Sequence, residues 1–377
     1  MLTENQLIKN GVMYMAENHS IKIPAHHNIY NGFSNRELRI EFSIPEKETD
    51  EDTGIAIFVP GFGGNIDSNV YKKMRETFAD TYNIVTVQCD FFGSEFMQSA
   101  SSFNLKGDIN ELLSALSFDE RNSINEDYSN LLEVLSTRDI TLPVVAKIDE
   151  TRDYFNDMGF MQAIDIITAI EAARIILIEN GIKFNEEKVI GYGHSHGAYL
   201  LHLSNCLAPH LFSHIIDNSA WIEPVYLSTN RYLFQQFGQM TLQIEFDYIA
   251  KSSIEDKQAL SLCTFYSCFD NAAKIISFQG NDDNLINHIE KENLLKRIPH
   301  VEFVLIDENS VDNIIFKSNK HGLDADFLKM FEYGLEKLGH YNNSIESRLI
   351  YEIVLSQTKI IVDYSSRLPV FSKEVLI

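Results

Sequence analysis

One serine of the chain lies in a pentapeptide whose spacing suits nucleophilic catalysis, Gly193-His194-Ser195-His196-Gly197. A serine hydroxyl is a weak nucleophile until a base removes its proton, and the base needs an acid that holds its tautomer. Glycines on both sides give a sharp turn the space that it needs. We therefore predict that Ser195 is the nucleophile and that Gly193 and Gly197 support its turn. A chance match in a loop is the alternative.

The stretches around this pentapeptide decide between the two interpretations. Residues 188–192 form a short apolar run that predicts a buried strand, and residues 198–203 predict a helix packed on a sheet. A serine in the pattern G-x-S-x-G between a strand and a helix is typical of a nucleophile elbow. This context favours the elbow over the chance match.

The base should come from a loop that follows a later strand, since such sites run in the chain order serine, acid, histidine. Residues 274–279 and 301–306 predict two later strands. His321 lies in the loop after the second of them, which makes it the candidate base. Three other histidines are poorer candidates by position: His288, His300 and His340.

The acid has more than one candidate. Asp283 and its neighbour Asp282 lie in the loop after residues 274–279, and one of them could be the acid while the other is a turn residue. Asp217, at the end of the preceding predicted strand, is a second-tier candidate. All three lie at carboxyl ends of strands, where α/β folds bind their ligands. Chain position alone leaves the choice among them open.

The two histidines that flank Ser195 are not expected to act through their side chains. An elbow points its neighbours away from the direction of attack, so we interpret His194 and His196 as packing or pocket-wall residues. A His-x-His pair also binds metals, but no third ligand is evident in the sequence. We therefore predict no metal site.

A glycine-rich turn, Gly61-Phe62-Gly63, follows a predicted strand at residues 54–59. The oxyanion of an acyl-transfer reaction needs two preorganised donors. We expect one to be the backbone N–H of His196, the residue after the nucleophile. The other is expected to be the backbone N–H of Phe62, with Gly61 and Gly63 giving room.

Apolar runs and helical patterns alternate along most of the chain. Residues 54–59 and 84–89 are continuous apolar runs typical of strands that are covered on both faces, and residues 68–82 predict a helix between them. This order indicates an α/β fold with a mostly parallel central sheet and flanking helices. Two segments are too long for simple connections, and we interpret them as helical cap insertions. The predicted parts are a core of residues 1–93, 154–220 and 271–340, a lid at 94–153, a cap at 221–270, and a C-terminal extension of unknown role at 341–377.

The composition is that of a globular protein, with 45% hydrophobic and 23% charged residues. Its 54 acidic and 31 basic residues give a formal net charge of −23, which argues against a nucleic-acid partner because phosphate binding needs a basic face. No apolar run approaches the roughly 20 residues that span a bilayer, and the N-terminus lacks a secretory signal. We therefore expect a cytoplasmic protein without a cofactor. The sequence does not predict its oligomeric state.

These motifs together resemble the α/β-hydrolase superfamily over most of residues 38–338. The segment Gly280-Asn281-Asp282-Asp283-Asn284-Leu285-Ile286 is similar to the G-x-x-D-x-x-[VI] acid loop of that superfamily. The resemblance implies Asp283, not Asp282, as the acid, and His321 as the late histidine. The stretch before the elbow, residues 158–165, is similar to prolyl-oligopeptidase-like members. More loosely, the whole chain resembles an uncharacterised bacterial hydrolase-like family associated with flagellin-glycan loci, and serine-dependent glycan O-acetyltransferases.

These residues predict a serine hydrolase that cleaves an ester-type bond through an acyl-enzyme on Ser195. The expected substrate is a small-molecule or O-acyl carbohydrate ester. One alternative is an O-acyltransferase that passes the acyl group to a glycan through the same acyl-enzyme. The other is a non-catalytic binding protein on a hydrolase fold, whose expected mark is a missing triad member. No member is missing here, and no residue identifies the acyl chain or the alcohol.

Overall fold

The computed structural model of the chain describes residues 16–114, 116–124, 129–340, 343 and 345–376. The strands are β1 (Glu17–Pro24), β2 (Glu37–Ile44), β3 (Gly54–Val59), β4 (Ile84–Cys89), β5 (Ser102–Leu105), β6 (Thr141–Lys147), β7 (Val189–His194), β8 (His214–Asn218), β9 (Arg231–Phe237), β10 (Met240–Phe246), β11 (Lys274–Gly280), β12 (Val301–Ile306), β13 (Ile350–Leu355), β14 (Thr358–Asp363) and β15 (Val370–Val375). The helices are α1 (Asn69–Tyr82), α2 (Ile109–Ser114), α3 (Phe118–Ile124), α4 (Ser129–Ser136), α5 (Phe160–Glu179), α6 (His196–Leu207), α7 (Ala250–Ser253), α8 (Leu262–Cys268), α9 (His288–Leu295) and α10 (Phe327–Leu338).

In the described part of the chain, eight strands form one mixed sheet in the order β1-β2-β4-β3-β7-β8-β11-β12. The strands from β4 to β12 in this order run parallel to one another, whereas β2 runs antiparallel to both of its neighbours. Every residue of β3 and of β4 is buried, as the continuous apolar runs predicted. Because parallel strands end at the same edge, this sheet brings the loops after β3, β7, β8, β11 and β12 together.

Helices cover both faces of this sheet. Alternate residues of a strand point to opposite faces, and β7 shows this: Tyr192 packs in the same cluster as Phe78 of α1 and Phe331 of α10, whereas Gly191 lies against Leu201 of α6. The rings of Phe78 and Phe331 stack with their centroids 4.8 Å apart. The long helix α5 packs beside α6, and its first eleven residues are buried on every side, with apolar side chains predominating there. These layers fix the strand carrying the serine between two helical layers.

The chain divides into two compact units. One comprises Met1–Ser94, Asp157–Pro224 and Asp256–Ile377 and contains the eight-stranded sheet. The other comprises Glu95–Asn156 and Val225–Glu255. The segments predicted as a separate lid and cap thus contribute to one unit, and residues 256–270 group with the first unit instead of with the cap.

The second unit differs from the helical insertions that we expected. It contains α2, α3 and α4, but also a four-stranded sheet in the order β5-β6-β10-β9, in which β6 and β10 pair in parallel although they come from different segments of the chain. Inside this unit, Arg231 and Tyr248 both donate to the carbonyl of Met97, at 3.0 and 2.6 Å. Strand pairing and these bonds hold the two segments in one body.

The C-terminal segment, whose role the sequence did not predict, forms a three-stranded antiparallel sheet in the order β13-β14-β15. The Tyr351 hydroxyl of β13 donates to the carbonyl of Leu207 at 2.7 Å, and the N–H of Phe371 in β15 donates to Nε2 of His26. This segment is therefore attached to the unit that carries the large sheet. Among the described helices, none is long and apolar enough to cross a membrane.

Candidate active site

Ser195 occupies the turn between β7 and α6 in a strained backbone conformation. Its φ of 55° and ψ of −120° lie outside the regions that a residue with a side chain ordinarily adopts. The Ser195 N–H donates to the carbonyl of Asn218 at 2.7 Å, and the Ser195 carbonyl accepts from the N–H of Tyr199. The last residues of β8 and the first turn of α6 therefore hold this conformation in place.

Both glycines of the pentapeptide are required by close backbone contacts. A Cβ atom on Gly197 would lie 2.2 Å from the carbonyl oxygen of Val59, and one on Gly193 would lie 2.5 Å from the backbone N of Ala198. No side chain fits at such separations. The absence of side chains here lets α6 begin directly against the end of β3.

The structure brings Ser195, His321 and Asp283 into one hydrogen-bonded chain. His321 Nε2 lies 2.7 Å from Ser195 Oγ, and His321 Nδ1 lies 2.8 Å from Asp283 Oδ2. Because a carboxylate only accepts hydrogen bonds, Nδ1 carries the proton and Nε2 is left to accept the proton of the serine hydroxyl. The arrangement can therefore move a proton from Ser195 to His321.

Asp283 is held as an ionised acceptor. Its side chain is fully buried, which by itself raises the pKa, but the hydrogen bonds from His321, the backbone N–H of Leu285 and Gln279 together lower the pKa below its ordinary value. Oδ1 accepts from the N–H groups of Leu285 and Ile286, at 2.8 and 3.1 Å, and Oδ2 accepts from His321 and Gln279. Four donors leave this carboxylate saturated and fixed in orientation.

The loop that carries His321 is anchored by residues that the sequence analysis did not single out. The N–H of Gly322 donates to Ser219 Oγ at 3.1 Å, and Asn218 Nδ2 donates to the carbonyl of Gly322 at 3.2 Å. Asn218 also accepts the N–H of Ser195. The end of β8 thus holds both the serine and the histidine loop. The two polar residues Asn218 and Ser219, at the end of an apolar strand, were the signal in the sequence that could have indicated this role.

The other two aspartates do not contact His321. Asp217 is fully buried and accepts from the N–H of Ala220 at 2.7 Å and from Ser277 Oγ at 2.6 Å, besides an ion pair with Lys291. Asp282 is exposed, and its N–H donates to the carbonyl of Asn319. Of the three predicted candidates, the one whose carboxylate meets the imidazole is therefore Asp283.

The two residues expected to supply the oxyanion donors lie side by side. The rings of Phe62 and His196 meet edge to face with centroids 5.3 Å apart, and Trp221 stacks on Phe62 at 5.5 Å. His196 is the first residue of α6, so its N–H has no acceptor within the helix. The turn that contains Phe62 is closed by a hydrogen bond of 2.8 Å from the N–H of Gly64 to the carbonyl of Gly61.

The ring of His196 is fully buried and that of His194 is half-buried, and both are neutral at neutral pH. Burial lowers the pKa of His196 to about 3 and that of His194 to about 4, where the charge of the nearby His321 acts in the same direction. The His194 ring fills the space between two loops: a Cβ on Gly61 would lie 2.8 Å from its Nδ1, and a Cβ on Gly322 would lie 2.5 Å from its Nε2. His194 therefore packs between the turn of Phe62 and the loop of His321.

Sequence reasoning missed two polar side chains behind Asp283. Gln279 Nε2 donates to Asp283 Oδ2 at 2.7 Å, and Lys291 Nζ donates to Gln279 Oε1 at 3.2 Å. The signal for Gln279 was that Ser277 and Gln279 alternate on one face of an apolar strand. No pattern marked Lys291, which looks like a surface residue of a polar helix.

Within the described residues, no group of three or more histidine, cysteine or acidic side chains could hold a metal ion.

A comparison with models of protein families assigns the chain to one of them. The model of a family described as "Protein of unknown function (DUF2920)" matches residues 22–297. The chain belongs to this family. The matched range includes Ser195 and Asp283 and ends before His321. A search of curated proteins finds no match.

Several solved structures are similar to this member of the DUF2920 family. The acylaminoacyl peptidase of Pyrococcus horikoshii is 14% identical with a TM-score of 0.50, and the match covers 92% of this chain and 45% of the peptidase. The chain thus spans less than half the length of that protein. Est1E from Butyrivibrio proteoclasticus, solved with ferulic acid, is 13% identical over 80% of this chain and 94% of its own, with a TM-score of 0.44. An arylesterase is 14% identical over 85% of this chain and 82% of its own, with a TM-score of 0.46.

The match to the peptidase concerns architecture. At such low identity a structural match shows the fold alone, and the peptidase match, together with the mostly parallel sheet and its flanking helices, shows an α/β-hydrolase fold. The fold class predicted from the sequence is confirmed. What the site does must be argued from its own geometry.

Proposed function

We propose that this DUF2920 protein is a serine hydrolase that cleaves ester-type bonds through an acyl-enzyme on Ser195. One observation carries the proposal: His321 lies 2.7 Å from Ser195 Oγ and 2.8 Å from Asp283 Oδ2, so a nucleophile, a base and an acid are already aligned. Four hydrogen-bond donors to the Asp283 carboxylate, whose effect on its pKa outweighs that of burial, support its role as a permanent anion behind the imidazole.

The first half of the reaction forms the acyl-enzyme. Ser195 Oγ attacks the ester carbonyl carbon while His321 Nε2 takes the hydroxyl proton, so a C–O bond forms and the carbonyl oxygen becomes an oxyanion. The backbone N–H groups of Phe62 and His196 are the proposed donors to this oxyanion. When the tetrahedral intermediate collapses, the bond to the leaving alcohol breaks, and His321 gives that oxygen its proton.

The second half returns the enzyme to its starting state. A water molecule gives one proton to His321 Nε2 and attacks the acyl carbon, and collapse of the second intermediate breaks the bond to Ser195 Oγ. His321 then returns the proton to Oγ. The net reaction is an ester and water giving a carboxylic acid and an alcohol, with Asp283 staying ionised throughout because it stabilises the imidazolium and does not take its proton.

An ester is proposed as the substrate because its alcohol leaves more readily than the amine of a peptide, so it demands least of this site. The finer proposal is an O-acyl carbohydrate. Transfer to a glycan hydroxyl would use the same acyl-enzyme with a sugar in place of water, so the acceptor is the variable that an experiment must control.

The test is hydrolysis of a panel of p-nitrophenyl esters of increasing acyl length and of acetylated monosaccharides, measured for the wild-type protein and for Ser195→Ala. The proposal predicts activity on at least one ester that Ser195→Ala loses. Acyl release into water and acyl transfer to an added sugar are measured in the same reactions. Turnover that survives in Ser195→Ala would contradict the proposal, and transfer that exceeds release would replace hydrolysis with acyl transfer.

A further inference from the structure

A buried ion pair lies behind the candidate active site. Lys291 of α9 and Asp217 of β8 both have side chains with no exposure, and Lys291 Nζ lies 3.1 Å from Asp217 Oδ2 and 3.3 Å from Oδ1. Fully buried lysines are rare, because a charge removed from water is costly unless it is paired and hydrogen-bonded. The stability of this pair therefore depends on the hydrogen bonds around it.

Lys291 has two hydrogen-bond acceptors beside it. Its Nζ donates to Asp217 Oδ1 at 3.3 Å and to Gln279 Oε1 at 3.2 Å, while Asp217 Oδ2 lies 3.1 Å from Nζ in the ion pair. Asp217 in turn accepts from Ser277 Oγ at 2.6 Å and from His202 Nε2 at 3.1 Å. Both members of the ion pair thus have further hydrogen-bond partners, and Gln279 is the partner that also contacts Asp283.

Gln279 connects this pair to Asp283. Its Nε2 donates to Asp283 Oδ2 at 2.7 Å, while its Oε1 accepts from Lys291. An ammonium can only donate and a carboxylate can only accept, so the amide has one allowed orientation. Its dipole has the cation at the oxygen end and the anion at the nitrogen end, the arrangement in which adjacent hydrogen bonds polarise one another most strongly.

We propose that Gln279, held by the Lys291–Asp217 pair, is a positioning residue that keeps the Asp283 carboxylate ionised and turned toward His321. This inference rests on the proposed function, because it assigns Gln279 a part in the same proton transfer. Oδ2 of Asp283 is the oxygen that meets both Gln279 and His321. Fixing that oxygen from behind fixes the imidazole in front of it.

The proposal predicts a defined change when the Gln279 donor is lost. Without it, Asp283 Oδ2 has one donor fewer and becomes a stronger acceptor for the protonated imidazole, so the acid limb of the pH profile of kcat/KM moves to higher pH. A lost hydrogen bond to a charged group also loosens the alignment, and kcat falls by about tenfold with KM little changed. A merely structural role would lower stability without moving the limb.

Other titratable groups also lie beside Asp283 and His321. Those that face them are Asp217, His202 and Lys291 behind Asp283, and His194 beside His321, whose rings lie with centroids 6.1 Å apart. Burial lowers the pKa of His194 to about 4, so His194 stays neutral at and above neutral pH. A change in the limb therefore reports the His321–Asp283 pair.

The experiment compares Gln279→Met with Gln88→Met. Gln88 of β4 is also fully buried, and its Oε1 also accepts from a buried cation, Arg75, but it does not contact Asp283. Both variants lose the same groups and are expected to lose stability. Only Gln279→Met should lower kcat and shift the acid limb. Equal pH profiles and equal kcat in the two variants would overturn the proposal.

A second variant, Gln279→Leu, is close to glutamine in size and serves if Gln279→Met does not fold. It also removes the donor to Asp283, so the acid limb should again move to higher pH. An unmoved limb in folded Gln279→Leu would also overturn the proposal.

A spectroscopic measurement separates this inference from the proposed function. The proton of the His321–Asp283 hydrogen bond gives a low-field proton resonance, which can be followed without any turnover. We expect this resonance to shift or broaden in Gln279→Met and to stay in place in Gln88→Met. If the wild-type protein hydrolyses no ester, the proposed function fails, but this comparison still decides whether Gln279 positions Asp283.

Discussion

Ser195 and His321 are 126 positions apart in the chain, yet the hydroxyl oxygen of one lies 2.7 Å from Nε2 of the other. The contact exists because β7, β8 and β11 are parallel neighbours whose loops leave the same edge of the sheet. The loop after β12 is held there by Asn218 and Ser219. The reactive pair is therefore a consequence of topology together with a few polar anchors.

Removal of the base should abolish activity. We expect His321→Gln to lower kcat by roughly 10³-fold to 10⁶-fold, because serine loses the acceptor for its proton and only binding and the oxyanion donors remain. His340→Gln, at an exposed position beyond α10, is the control and should retain wild-type kcat. Steady-state kinetics on the best ester would check this. Comparable losses in the two variants would count against His321 as the base.

The role of Asp283 as the acid can be tested by comparing it with its neighbour Asp282. Asp283→Asn leaves the size of the side chain unchanged but takes a permanent anion away from the imidazole, and a fall in kcat of about 10⁴-fold is expected. Asp282→Asn, one residue earlier and exposed, should change kcat little. Kinetics of both variants at neutral pH provide the measurement. A larger loss in Asp282→Asn would move the role to Asp282.

Close packing at Gly280 makes a third test. A Cβ atom there would lie 2.1 Å from the carbonyl oxygen of Asn319, so the acid loop and the histidine loop touch at this point. Gly280→Ala should push these loops apart and lower kcat by at least about tenfold, besides lowering stability. Gly181→Ala is the control: its φ of +67° makes alanine strained, but nothing lies within 4 Å of the new Cβ. It should cost stability, seen by urea unfolding, and leave kcat intact.

Histidines that are partly or fully buried should destabilise the folded protein in mild acid. Burial lowers the pKa from 6.5 to about 4 or below in His26, His194, His196, His210 and His214. Between those values the unfolded chain binds protons at these histidines that the folded chain does not, so they lower the free energy of unfolding as pH falls from about 6.5 to about 4. Asp157, whose pKa is raised by burial to about 6, contributes in the opposite direction. Each such histidine contributes a slope of about 1.4 kcal/mol per pH unit in that window.

Urea unfolding at several pH values measures this slope. His214, which is 5% exposed, can be replaced by glutamine, and His214→Gln should reduce the slope by about 1.4 kcal/mol per pH unit. An equal slope for the wild-type protein and His214→Gln would contradict the prediction.

The parallel core was predictable from the sequence because its strands are buried on both faces. Residues 54–59 and 84–89 were predicted as strands from continuous apolar runs, and β3 and β4 have those same limits. Ser195, Asp283 and His321 could be proposed as a set for the same reason, because each follows a predicted strand of this sheet in the expected chain order. The resemblance to known acid loops then pointed to Asp283.

The second unit was not predictable in the same way. In β9, the exposure of Arg231–Phe237 does not alternate along the strand, so β9 gives no local strand signal. Its neighbour β10 pairs on the other side with β6, which lies far away in the chain, and local sequence carries no sign of that pairing. The Lys291–Asp217 pair escaped for a related reason, because a lysine in a polar helix looks exposed until its neighbours in space are known.

The central claim, that Ser195 is an activated nucleophile, is tested most directly by covalent labelling. The wild-type protein is treated with a fluorophosphonate, and the modified residue is identified by mass spectrometry of its peptides, beside Ser195→Ala and His321→Gln. The account predicts one adduct, on Ser195, that is absent from Ser195→Ala and forms far more slowly in His321→Gln. Equal labelling of Ser195→Ala, or no labelling of the wild-type protein, would contradict it.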